Sequence, residues 1–192
     1  MSFDTLLEIL GFITGLFYLW WEYHASARLW LASIIMPAIS MWIYFSKGLY
    51  ADFSINIYYF VIAIYGYIVW TRHIPDRKKK TSVTLPITHI RGIALWAAAG
   101  MFGVLWAAIW AGLHWFTNSN VPVADAFTTS LSIVAMWMLA RKYIEQWIAW
   151  MAVDAVCVGL YIYKGIYFYA VLYAIYTVIA ILGFRKWQRL MS

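Results

Sequence analysis

Residues 44–70 read YFSKGLYADFSINIYYFVIAIYGYIVW, and 117 positions further on residues 161–187 read YIYKGIYFYAVLYAIYTVIAILGFRKW. Without a gap, 11 of 27 positions are identical, among them Lys47/Lys164, Gly48/Gly165, Tyr50/Tyr167, Tyr59/Tyr176, Gly66/Gly183 and Trp70/Trp187. Apolar composition alone can return a run such as Val-Ile-Ala-Ile. It does not readily return Lys-Gly-x-Tyr, two glycines and a tryptophan in register. The chain therefore carries an internal repeat, and both copies lie in stretches greasy enough to cross a bilayer.

Working outward from the repeat, the 192 residues are 65% hydrophobic, 20% aromatic and 11% charged. So few charges cannot clothe a water-soluble domain of this size, and a mean hydropathy of +0.74 points to a lipid solvent. A spanning helix needs about 20 apolar residues, with roughly 17 tolerated. Such runs fall at 4–23, 30–46, 53–71, 92–116, 123–140, 147–163 and 166–184. Spanning strands are not expected, because no ten-residue alternation recurs. The amino terminus, MSFDTLLEIL, lacks the basic region of a secretory leader, so the first run is expected to stay as a span.

Seven spans place alternate loops on opposite sides. With the amino terminus outside, Arg28, the segment holding Arg72, Arg77, Lys78, Lys79, Lys80 and Arg91, the pair Arg141 and Lys142, and the tail with Arg185, Lys186 and Arg189 all face inward. Only Lys47 and Lys164 remain outside, which is the distribution the positive-inside rule requires. The RKKKT run is expected to be a topogenic, solvated cytoplasmic loop, the alternative being a lipid or nucleic-acid patch.

The repeat relates spans two and three to spans six and seven, and by continuation span one to span five, where Trp20 lies over Trp137. Four spans separate equivalents, an even number, so the two triple-helix units run parallel. The expected fold is all-α and integral to the membrane. It is a single domain made of repeat one (4–71), a linker helix (92–116) and repeat two (123–184). Parallel repeats of this kind are a transporter plan, with the substrate site near the midplane.

Most acidic residues lie in loops or near span ends. Asp154 alone is expected to be deep, seven residues or about 10 Å into the sixth span at 1.5 Å per residue. Charge at that depth marks a substrate pathway or a carboxylate hydrogen-bonded to a neighbouring helix. Trp147, Trp150 and Asp154 share one helical sector with Tyr161, and two indoles beside a carboxylate suit a flat cationic ring. Further polar candidates are Asn56 and Tyr59 on the third span, Tyr173 and Tyr176 on the seventh, and Thr128 on the fifth, with hydroxyls equally able to bond their own backbone. Pro37 lies over Asp154 in the repeat and is a candidate hinge. The four histidines form no metal-ligand spacing, and Cys157 stands alone. No nucleotide-binding or nucleophile motif appears, so no catalytic residue, cofactor or metal is expected.

The segments KGLYADFSINIYY and WIAWMAVDAVCVGLYIYKGIYFYAVLY resemble the PnuC family of bacterial vitamin transporters, over essentially the whole chain. The resemblance implies a three-plus-one-plus-three helix plan shared with the SWEET sugar transporters. It also implies inner-membrane uptake of nicotinamide riboside or thiamine by facilitated diffusion, with trapping by a cytoplasmic kinase that phosphorylates the vitamin. The family's paired-tryptophan motif falls on Trp147, Trp150 and Asp154. Asparagine is expected at the last position in nicotinamide riboside carriers, so aspartate departs from the pattern and leans toward thiamine, whose pyrimidine amino group a carboxylate can accept. The implied partners are the vitamin, the lipid bilayer and the kinase, with a homo-oligomer compatible and no nucleic acid. The alternative classes are an intramembrane enzyme, which needs a second deep acid, base or metal ligand, and a non-transporting membrane sensor, which needs an output domain.

A reporter fused after Ser192 is expected to be active only if it works in the cytoplasm. A periplasmic reporter active at that position would invert the map.

Overall fold

A computed structural model describes residues 17–46, 50–72, 74–76, 81–83 and 85–191. Among them are seven helices: α1 (residues 17–23), α2 (Leu29–Ser46), α3 (Tyr50–Thr71), α4 (Ile93–Phe116), α5 (Pro122–Ala140), α6 (Gln146–Tyr163) and α7 (Tyr167–Met191). Five of these are long and apolar enough to cross a membrane: α3 from Phe53, α4, α5, α6 and α7. The expected first span is described only from residue 17 onward, and the Lys47-Gly48 break lies outside the described residues.

Two boundaries correct the sequence reading. The seventh helix continues past 184 to Met191, carrying Arg185, Lys186 and Arg189, because a helix leaving the hydrocarbon loses nothing by continuing into water. The loop after α3 is not wholly irregular. Ile74–Asp76 (β1) pairs antiparallel with Thr81–Val83 (β2) in a small hairpin.

The chain forms two compact units, residues 1–86 and 87–192. In the first, α2 packs on α3. In the second, α4, α5, α6 and α7 pack in chain order. The same local devices recur in both at the 117-residue offset. Helix α1 ends with Ala25 at φ 50°, where Ser26 N–H donates to the Trp21 carbonyl at 2.8 Å and Ala25 N–H to Glu22 at 2.9 Å. Helix α5 ends with Lys142 at φ 54°, where Tyr143 N–H donates to Met138 at 2.9 Å and Lys142 N–H to Leu139 at 2.9 Å. Both are Schellman turns, which normally place glycine in the left-handed position. Gly165 (φ 71°) does so after α6.

The second shared device joins neighbouring helices. Trp30 of α2 meets Trp70 of α3 edge-on, with ring centres 5.6 Å apart at 85°. Trp147 of α6 meets Trp187 of α7 at 5.7 Å and 88°. All four indoles are buried. Each first tryptophan lies flat over a glycine, Gly66 or Gly183, where an added Cβ would penetrate the ring. Edge-to-face pairs contribute about 0.5–1.5 kcal/mol beyond the apolar area they bury. The glycine is what lets the two backbones approach closely enough to make one.

Gly183→Ala and Gly66→Ala are each expected to destabilise the protein by about 1–3 kcal/mol, the usual cost of overpacking, read as a lowered Tm in detergent. Gly112→Ala on α4, where an added Cβ meets nothing, is the matched control and should leave Tm unchanged or raised. Lys142→Gly should stabilise by roughly 1 kcal/mol or more through its left-handed backbone alone. Burial also pushes the Lys142 amine down to about 8 from its ordinary 10.5. The folded state thus disfavours the charged amine, a penalty present below pH 8 and relieved as pH rises toward 10.5. The gain from Lys142→Gly should therefore be larger at pH 7 than at pH 10, and a pH-independent Tm difference would contradict this account.

Candidate functional site

Helix α6 starts abruptly. After the turn at Lys142, Gln146 N–H donates to the Tyr143 carbonyl and Trp147 N–H to Ile144. A strap from residues 88–90 closes over this turn. Thr88 N–H donates to the Lys142 carbonyl at 3.1 Å, and Ile144 N–H donates to the Thr88 carbonyl at 3.0 Å. The Glu145 carboxylate accepts from Ile90 N–H at 2.9 Å and pairs with His89 Nδ1 at 2.7 Å. His89, a lone histidine in sequence, thus has a structural partner 56 residues away. At the far end of α6, Lys164 meets Asp125 of α5 at 3.7 Å, and Ser119 Oγ donates to the same carboxylate at 2.9 Å. That pair is partly exposed and contributes little.

Between these ends lies Asp154, only 6% exposed. Among the described residues its carboxylate has no hydrogen-bond or ion-pair partner, though Tyr173 and Tyr176 of α7 lie within its electrostatic reach. Tyr173 stacks on Tyr161 of α6 with ring centres 5.3 Å apart, and it meets Tyr176 edge-on at 5.7 Å. Trp150 is half-buried, packs beside the apolar cluster of Val134, Ala135, Met138 and Ala149, and has a buried Nε1 with no acceptor among the described residues. The second unit thus brings Trp150, Asp154, Tyr173 and Tyr176 to one helix pair.

Trp147 is placed differently from Trp150. It is 2% exposed, with one face on Gly183 and its edge on Trp187, so its surface is taken up by packing. Thr128 donates its hydroxyl to the Ala124 and Asp125 carbonyls, each at 3.1 Å, within its own helix. Asn56 and Tyr59 are half-buried on α3 in the first unit. Tyr59 stands beside Tyr58, with ring centres 5.6 Å apart, and within electrostatic reach of Tyr18.

Asp154, expected to be the one deep carboxylate, is not the one enclosed carboxylate among the described residues. Glu22, read as a span-end residue, is 2% exposed and accepts a hydrogen bond from Tyr18. Its position at the end of an apolar run hid it, since burial there is set by neighbouring helices and not by depth along the span.

Comparing α2 with α6 separates structure from site. Trp30 and Trp147 occupy equivalent places and do the same thing. The adjacent face does not repeat: Leu29, Ser33 and Pro37 on α2 stand where α6 has Gln146, Trp150 and Asp154. Ser33 spends its hydroxyl on the Leu29 carbonyl at 3.0 Å, and Pro37 sits inside α2 with no donor at all. Polar and aromatic groups able to hold a ligand are therefore concentrated on the α6 face. A cavity of about 310 Å³ between α4 and α5, lined by Trp106, Ala107, Trp110 and Val123, has no charged group to orient a charged solute.

Five helices long and apolar enough to cross a bilayer, with a carboxylate enclosed on one of them, are the make-up of a multi-pass membrane protein. The chain belongs to the nicotinamide mononucleotide transporter family, whose profile matches residues 5–189. It is 28% identical to the nicotinamide riboside transporter PnuC of Escherichia coli over 165 residues, 76% of this chain and 69% of that protein. It is 34% identical to the riboflavin/roseoflavin transporter RibM of Streptomyces davaonensis over 129 residues, 66% of this chain and 58% of that protein. In three dimensions it resembles the crystal structure of the vitamin B3 transporter PnuC, with a TM-score of 0.65 at 19% identity, covering 93% of this chain and 79% of that one.

Proposed function

We propose that the protein is a vitamin transporter of the bacterial inner membrane whose substrate carries a cationic aromatic ring, thiamine ahead of nicotinamide riboside. The observation that carries this reading is Asp154, a carboxylate enclosed on α6 with no partner among the described residues. An uncompensated charge in such a place costs several kcal/mol unless something neutralises it, and a cationic substrate does so each time it binds. Trp150 supplies a ring face for stacking and cation–π attraction, and Tyr173 and Tyr176 supply hydroxyls on the facing helix. Trp147 holds α6 in place against α7. A carboxylate only accepts hydrogen bonds, so it can take the amino group of thiamine's pyrimidine or the NH2 of a carboxamide, but it leaves the carboxamide carbonyl without a donor, which is why thiamine is placed first. Nicotinamide riboside is the second reading, favoured by the PnuC relatives.

The fold supports a single transporter domain of two parallel three-helix repeats, 4–71 and 123–184, joined by the helix at 92–116, the plan of the SWEET proteins. The Schellman turns and the Trp–Gly–Trp contacts that recur at the 117-residue offset support that reading. The amino terminus is placed outside and the carboxyl terminus in the cytoplasm. Transport is facilitated diffusion, and a cytoplasmic kinase that phosphorylates the vitamin supplies the net direction.

Asp154→Asn keeps size and hydrogen bonding while removing the charge. It is expected to weaken thiamine binding to the purified protein by about 1–3 kcal/mol, read by calorimetry, with the Tm of the ligand-free protein kept or raised. Parent-like binding by this variant would make the carboxylate structural. In liposomes the parent should equilibrate labelled thiamine without ATP or an ion gradient. Accumulation driven by a proton gradient alone would overturn the facilitated-diffusion reading.

A further inference from the structure

Gln146 is the first residue of α6 and is fully buried, yet neither its Oε1 nor its Nε2 has a hydrogen-bond partner among the described residues. An enclosed primary amide without partners costs on the order of 1–3 kcal/mol. The equivalent place on α2 holds Leu29, also fully buried, so the fold accepts an apolar side chain of similar size there. Nothing in the packing asks for an amide. On α6, Gln146, Trp150 and Asp154 follow one another at four-residue spacing and so lie along one face, with about 12 Å of helix between the first and the last.

We propose that Gln146 is a substrate-contacting residue that reads the uncharged polar edge of the vitamin. This rests on the transporter reading above and extends it. The face then works as a linear reader. Asp154 meets the cationic ring, the Trp150 indole lies between, and Gln146 meets the far ring one helical turn beyond Trp150. A primary amide offers one acceptor and two donors side by side. That pattern complements an aminopyrimidine, in which an exocyclic N–H donor adjoins a ring-nitrogen acceptor, and two parallel hydrogen bonds can form. Thiamine, with a thiazolium at one end and an aminopyrimidine at the other, has this layout. Because the amide can turn over, an edge with donor and acceptor exchanged is also bound. What Gln146 rejects is a ring with no polar edge, which would leave its buried amide unsatisfied.

The test uses the full-length protein in detergent and two probes: thiamine, and the N-benzyl thiazolium analogue in which a phenyl ring replaces the aminopyrimidine. Gln146→Leu, with the residue the fold already houses at position 29, should keep or raise the Tm and weaken thiamine binding roughly tenfold or more. It should bind the benzyl analogue as well as the parent does or better. Asp154→Asn, measured alongside, should weaken both probes. If Gln146→Leu binds thiamine like the parent while Asp154→Asn weakens it, Gln146 is a packing residue and this inference alone fails. An equal loss for both probes in Gln146→Leu likewise assigns it a structural part. If the parent binds neither probe, the transporter reading for cationic rings fails, and this inference with it.

Discussion

An indole lying flat on a glycine of the next helix, and edge-on to a second indole one turn further along, is the contact on which the rest of the structure depends. Membrane helices gain nothing from hiding apolar surface from one another, since lipid is equally apolar, so close backbone approach and ring geometry must hold them together. Gly183 provides the approach, and Trp147 with Trp187 provides the geometry. The contact fixes the start of α6 against α7, so that Gln146 is enclosed and Asp154 stands near the tyrosines of α7. The Glu145 strap locks the same end of α6 from the other side. Positioning of the site therefore depends on a few contacts at one helix terminus.

Recurrence at the 117-residue offset separates what the two units share from what they do not. The same wedge, the same left-handed turn and the same ring pairing stand in both units at that offset. Residues that only hold helices together stay alike, as Trp30 and Trp147 do. The adjacent face does not stay alike: Gln146, Trp150 and Asp154 stand where the first unit has Leu29, Ser33 and Pro37. On the function proposed above, the face that differs between the units is the working one.

Much of this was legible in the sequence. Run length and hydropathy placed α2 to α6 to within a few residues, because the bilayer imposes a minimum apolar length. The 117-residue repeat picked out Gly66/Gly183 and Trp70/Trp187 as meaningful before their contacts were known. Three things were not legible. Helix α7 outlasts its apolar run, since Arg185, Lys186 and Arg189 end the span and not the helix. The burial of Glu22, at the end of an apolar run, and of Gln146, just before one, was not legible, because sequence position reports depth along a helix while burial is decided by neighbouring helices. The partnership of Glu145 with His89 and Ile90 joins residues more than 50 positions apart, and no local pattern announces it.

On the function proposed above, the enclosed charge of Asp154 meets a positive ring. The most direct test compares binding of thiamine with that of its neutral isostere, in which a thiophene replaces the thiazolium and the shape is retained. The account predicts that the parent binds the cation roughly tenfold tighter or more, and that this preference disappears in Asp154→Asn. Equal binding of the cation and its neutral isostere by the parent would contradict it.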